Sequence, residues 1–148
     1  MKYLAKYFAA ASSLVILTLM LVPLAQAEQK KVLGNWDVHY IAIPSTFLTP
    51  EVARANGIVR SSTNALVNIS VLDSTSKKAL DVDVSGSARN LLGTNKTLEF
   101  KTVKEGEAIY HLASVSFDDK EVLRFNISIT DSKRSEVLQF QQKMYEEE

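Results

Sequence analysis

The chain has 148 residues, with seventeen lysines and arginines balancing seventeen aspartates and glutamates, two histidines and no cysteine. That balance leaves no electrostatic footprint for nucleic acid or for an anionic membrane surface. The missing cysteines exclude a disulfide framework, a thiol nucleophile and a cysteine metal cluster.

Lys2 and Lys6 give the chain a basic start, and Phe8 to Val22 is an uncharged apolar run. Pro23 breaks it, and Ala25-Gln26-Ala27 places small residues where a signal peptidase reads. This is the layout of a cleaved secretory signal over residues 1–27, and it leaves residues 28–148 as a single domain of common size. The competing reading is a retained anchor, because Tyr7 to Ala25 approaches the ~20 residues that span a bilayer. After cleavage fifteen cations face seventeen anions.

The rest of the chain alternates with period two, the mark of half-buried strands. The first strand is expected at Lys31–Ile43, with Trp36, Val38, Tyr40 and Ala42 on one face and Asp37 and His39 on the other. Pro44 to Gly57 breaks the alternation. Thr49 suits a helix cap, Pro50 its first turn, Glu51 its positive end and Gly57 its close, so a helix of about two turns is expected there.

Further strands are expected at Asn64–Leu72, Ala79–Ala88, Thr97–Val103, Ala108–Phe117, Glu121–Thr130 and Glu136–Tyr145. Gly86 reads as a bulge, and Glu105-Gly106 as a tight turn. About seven antiparallel strands with one short helix between the first two point to an all-β, immunoglobulin-like sandwich, with a small barrel as the rival.

Catalytic candidates are few. His111 is in phase with the apolar face of its strand and reads as a hydrogen-bonded core histidine. Asp37 and His39 share a strand face, so an enzyme using His39, Asp37 or His111 across strands is the alternative to a binding role. No serine elbow is present. Asp81-Val82-Asp83-Val84-Ser85-Gly86 resembles half a calcium loop, but Leu92 stands where the bidentate carboxylate belongs. The sequence therefore calls for no metal and no cofactor.

The irregular insertion is the better functional candidate, because binding gathers on loops held by a rigid scaffold. Phe47 and Leu48 lie between two prolines, and Arg60 and Arg89 stand near loop edges where either can grip a carboxylate. A third reading is a small-ligand carrier with its cavity between the sheets. The expected partner is a protein or an envelope component, with no nucleic acid and a membrane only through a retained leading segment. Oligomeric state is not legible.

The string Pro44-Ser45-Thr46-Phe47-Leu48-Thr49-Pro50-Glu51-Val52-Ala53, followed by Gly57-Ile58 and Arg60-Ser61, resembles a bacterial family known as domain of unknown function 4426. Asn68-Ile69-Ser70-Val71, Gly86-Ser87-Ala88, Glu105-Gly106-Glu107-Ala108-Ile109-Tyr110, Glu121-Val122-Leu123-Arg124-Phe125 and Phe140-Gln141-Gln142-Lys143 are similar as well. The resemblance implies a short secreted protein of a Gram-negative bacterium, located in the periplasm, with a single β domain. It implies no activity, ligand or catalytic residue.

Overall fold

The structure is a computed structural model that describes residues 29–147. The expected signal segment, 1–27, lies outside the described residues. Nine strands, β1 (Gln29–Leu33), β2 (Trp36–Pro44), β3 (Asn64–Asp73), β4 (Asp83–Asn90), β5 (Asn95–Leu98), β6 (Lys101–Glu105), β7 (Ala108–Ser116), β8 (Val122–Thr130) and β9 (Ser135–Lys143), form two antiparallel sheets. One sheet has the order β1-β2-β3-β7-β6 and the other β5-β4-β8-β9. Leaving β1 aside, β2-β3-β7-β6 and β5-β4-β8-β9 match the A-B-E-D and C′-C-F-G orders of an immunoglobulin-like sandwich.

The inward faces follow the alternation. Ala65, Val67, Ile69 and Val71 of β3 meet Leu123, Phe125, Ile127 and Ile129 of β8 in one core that also holds Trp36, Val38, Phe117 and Leu138. Phe125 stacks on Phe140, with ring centroids 4.5 Å apart, and Phe140 in turn touches Tyr40. Burial of these faces is the main favourable term in folding.

Two expected strands are each two strands. Lys31–Ile43 is a hairpin, because Leu33 pairs with Trp36 and leaves Gly34-Asn35 as a two-residue turn. Gly34 takes φ 59° there, the left-handed geometry that tight hairpins require. Thr97–Val103 divides between the sheets, β5 pairing with β4 and β6 with β7. The alternation hid this crossing for a physical reason. Leu98 faces inward from one sheet, Phe100 packs on the core between them, and Thr102 pairs with inward-facing His111 of the other.

Gly86 is not a bulge. The β4–β8 register runs unbroken from Asp83↔Thr130 to Asn90↔Leu123. A Cβ at Gly86 would lie 2.5 Å from the Asn126 carbonyl oxygen and 2.9 Å from Ile127 Cα, so the glycine serves close approach of two backbones.

The strand directions give the sandwich two poles. At one, β2 ends, β3 begins, β4 turns into β5, β7 passes to β8 and β9 ends. We call this the insertion pole, because it carries the helix α1 (Pro50–Ala55). At the other lie the β1–β2, β6–β7 and β8–β9 turns and the end of β3. The Thr49 side chain caps α1 by accepting from the Val52 amide, as the sequence indicated. Ser45, fully buried, staples the insertion shut: its Oγ accepts from Ser61 N at 2.9 Å and donates to Ser61 O at 3.1 Å.

Candidate functional site

The outward face of the five-stranded sheet carries a groove of about 800 Å³, close to the pole opposite the insertion. His39 of β2, Ser70 and Leu72 of β3, and Ala108 and Tyr110 of β7 form its floor. They share one face because β2, β3 and β7 are in register, with His39 opposite Ser70. The segment Ser76 to Ala79 rises as one wall, and Glu107 of the β6–β7 turn stands at the rim.

The wall is held from below. Asp73 Oδ1 accepts from the amides of Thr75 and Ser76, and Lys77 N donates to Asp73 O. Lys77 takes φ 60°, a left-handed conformation that costs a side-chain-bearing residue and persists only where its surroundings enforce it. Backbone hydrogen bonds close the turn, from Lys77 N to Asp73 O and from Asp73 N to Lys78 O, and the Lys77 side chain reaches down to Asp37. Lys77 Nζ donates to Asp37 Oδ2 at 2.7 Å, and Lys30 Nζ lies 3.7 Å from the same oxygen. Asp37 is buried although it belongs to the outward face of β2. The hydrogen bond from Lys77 holds its carboxyl below the usual carboxylate range, against the opposing cost of burial, and the charges of Lys30 and His39 act in the same direction as Lys77. A carboxylate so committed is a poor proton acceptor, since a general base works best with a pKa near the operating pH.

The three residues of the catalytic alternative do not assemble. Asp37 and His39 face outward from β2, whereas His111 is buried on the inward face of β7. His111 is the hydrogen-bonded core histidine that the strand phase implied, with Nδ1 3.2 Å from Thr102 Oγ1. Its Nε2 has no hydrogen-bond partner, and burial pushes the imidazole below its ordinary value while the charges of Asp81 and Asp83 push it up. Among the described residues, no three histidine or carboxylate side chains gather as a metal site. No helix among them is long and apolar enough to cross a membrane.

Phe47, Leu48, Arg60 and Arg89 do not line the groove. Phe47 stands exposed and Leu48 half-buried at the insertion, where Arg60 Nη2 donates to Thr46 O at 3.2 Å. Arg89 belongs to the other sheet and borders a smaller hollow of about 500 Å³ on its outward face, with Arg124, Asn126 and Gln139. Arg89 lies directly opposite Arg124 in the ladder, a like-charge pairing that disfavours the folded state. All four residues lie at the insertion pole or lead into it; none of them lines the groove, and Arg89 is the one that borders the smaller hollow.

Sequence reasoning missed Lys77, Tyr110 and Ser45. Asp73-Ser74-Thr75-Ser76 was a legible signal for the turn that builds the wall, since Asp and Ser cap their own backbone. Nothing local indicated that Asp37, forty residues earlier, would anchor it.

The sequence model of a domain of unknown function, DUF4426, matches residues 30–147. A DUF4426 protein of Pseudomonas aeruginosa, known from a crystal structure, superposes with a TM-score of 0.75 at 34% identity, over 84% of this chain and 99% of that one. The copper-bound form of a FetP variant from uropathogenic Escherichia coli superposes with a TM-score of 0.60 at 10% identity, over 81% of this chain and 96% of that one. FetP recombinantly expressed in the E. coli periplasm gives 0.56 at 9%, over 81% and 95%. At those identities the FetP structures share the fold alone. No curated protein matches the chain. The motif strings, the family match over residues 30–147 and the Pseudomonas structure agree: this chain belongs to the DUF4426 family.

Proposed function

We propose that this chain acts outside the cytoplasm, in the periplasm, as a non-catalytic binding module, and that its protein or envelope partner seats in the groove over β2, β3 and β7. The signal-like start supports export, and the likeness to FetP, recovered from a periplasm, is in keeping with it. The observation that carries the reading is the clamp. A left-handed lysine in the groove wall is held by the backbone hydrogen bonds of its turn and by a buried carboxylate that meets its side chain, and strain of that kind collects where a surface must keep its shape. Lys78 and Glu107 offer opposite charges around the groove, and Tyr110 and Leu72 offer apolar contact, the mix of rim and anchor found in recognition surfaces.

The test is a photo-crosslinking amino acid placed at Tyr110 and, as a control, at exposed Val137 in cells making the full chain. A discrete adduct at position 110 that is absent at 137, and is lost with Lys78→Glu, supports the reading. Equal labelling at both positions, or none at 110, refutes it.

A further inference from the structure

Eight large apolar side chains stand exposed among the described residues, and six of them, Phe47, Val52, Val59, Leu91, Leu92 and Tyr145, belong to the insertion pole. Exposed apolar residues scattered singly need no explanation, but their concentration marks a contact surface. Leu92 is 93% exposed, Val59 71% and Leu91 61%. The two leucines crown the β4–β5 hairpin, which is rigid: Asn90 N donates to Thr94 O at 3.0 Å and Thr94 N to Asn90 Oδ1 at 2.8 Å. Two bare leucines on a braced tip are suited to burial in something else.

Cations flank these tips. Arg89 lies two residues before Leu91 and packs its guanidinium toward Gly93 of the same turn. Arg60 follows Val59 and bonds to the loop that carries Phe47, Arg54 follows Val52 on α1, and Lys143 Nζ sits 5.4 Å from the Tyr145 ring. Apolar tips framed by arginine and lysine match a bilayer edge, where side chains enter the acyl boundary and cations meet phosphate. Carboxylates share this pole: Glu121 is engaged by Lys96, Asn90 and the Asp118 amide, and Asp119 by the Glu146 amide, while Glu51, Glu146 and Glu147 stand exposed.

The chain's own course points the same way. β1 runs antiparallel to β2, so its first residue, Gln29, is its end toward the insertion pole, level with Tyr40 midway along β2. Whatever precedes it therefore joins the domain from that side. In the uncleaved chain the apolar run Phe8–Val22 is separated from Gln29 by the six residues 23–28, which span about 20 Å at most.

We infer that the insertion pole docks on the surface of a phospholipid bilayer, with Leu91, Leu92, Phe47 and Val59 entering the interface and Arg60 and Arg89 meeting lipid phosphates. This goes beyond the groove reading and does not depend on it.

The test is co-sedimentation of residues 28–148 with vesicles. That segment folds on its own, since it contains the whole two-sheet core and aligns with 99% of the crystallised Pseudomonas chain. Binding is expected to vesicles of phosphatidylethanolamine with phosphatidylglycerol, and to be weaker for phosphatidylcholine alone. Leu91→Ser with Leu92→Ser is expected to cut partitioning roughly tenfold or more. Arg60→Gln with Arg89→Gln is expected to weaken binding only where the lipid is anionic, and Val137→Ser to change nothing. Unaltered circular dichroism shows that each variant is folded. Absence of wild-type binding to both vesicles, or equal binding by the double-serine variant, overturns the inference. Crosslinking at Tyr110 is unaffected by either result, so the two proposals fail separately.

Discussion

At the groove pole, turns and strand ends bring their charges into pairs. Lys77 meets Asp37, Lys104 meets Asp81, and Arg134 lies 3.8 Å over the Trp36 ring. At the insertion pole Lys96 also meets Glu121, but the turns leave apolar side chains in water and set Arg89 opposite Arg124. The same alternating strands run between both ends, so the difference resides in the connections. A sandwich fixes which residues face the core and leaves its poles free to carry unrelated surfaces.

Three experiments break or sharpen that contrast. The largest effect is expected from Ser45→Ala. It leaves the Ser61 N–H and C=O without their buried partner, and loss of such a pair costs about 1–3 kcal/mol. Urea denaturation reads it. Unchanged stability would mean that the insertion hangs on the sandwich without belonging to its cooperative unit.

A second effect comes from the core behind the groove. His111 is held below its ordinary value by burial, opposed by Asp81 and Asp83. The unfolded chain therefore takes up the proton more readily than the folded one. Stability is complete above the ordinary histidine value of about 6.5 and declines as pH falls through the lowered folded value. Thermal melts between about pH 7 and pH 5 are expected to show this loss, and His111→Gln to flatten it. A slope that survives the substitution would move the acid-sensitive group elsewhere.

The smallest effect is expected from Arg124→Glu, which turns a like-charge rung into an opposite-charge one. A gain of roughly 0.2–1 kcal/mol is expected, fading as salt is added. No gain at low salt would mean that the two guanidinium groups already splay apart.

Much of the fold was legible because burial imposes a period. Val67, Ile69, Leu123 and Ile127 could be assigned to the core from alternation alone, and Thr49-Pro50 announced its helix through capping chemistry. The hairpin at Gly34-Asn35 was also written in the sequence, in a dipeptide that two-residue turns favour. The β5–β6 crossing was not, because Leu98, Phe100 and Thr102 keep facing inward while the strand beneath them changes sheet.

The surfaces were legible only as fragments. Phe47-Leu48, Arg60 and Arg89 read in the sequence as separate candidates, and strand direction is what places them at one end. By itself the sequence determined the inward faces, the helix cap and the family, since these depend on neighbours a few residues apart or on strings of residues. Tertiary structure alone decided that Asp37 would anchor Lys77, that Arg89 would oppose Arg124, and that six apolar tips would share a pole. Each of those pairs residues distant in the chain, and sheet register, which no local pattern encodes, is what brings them together.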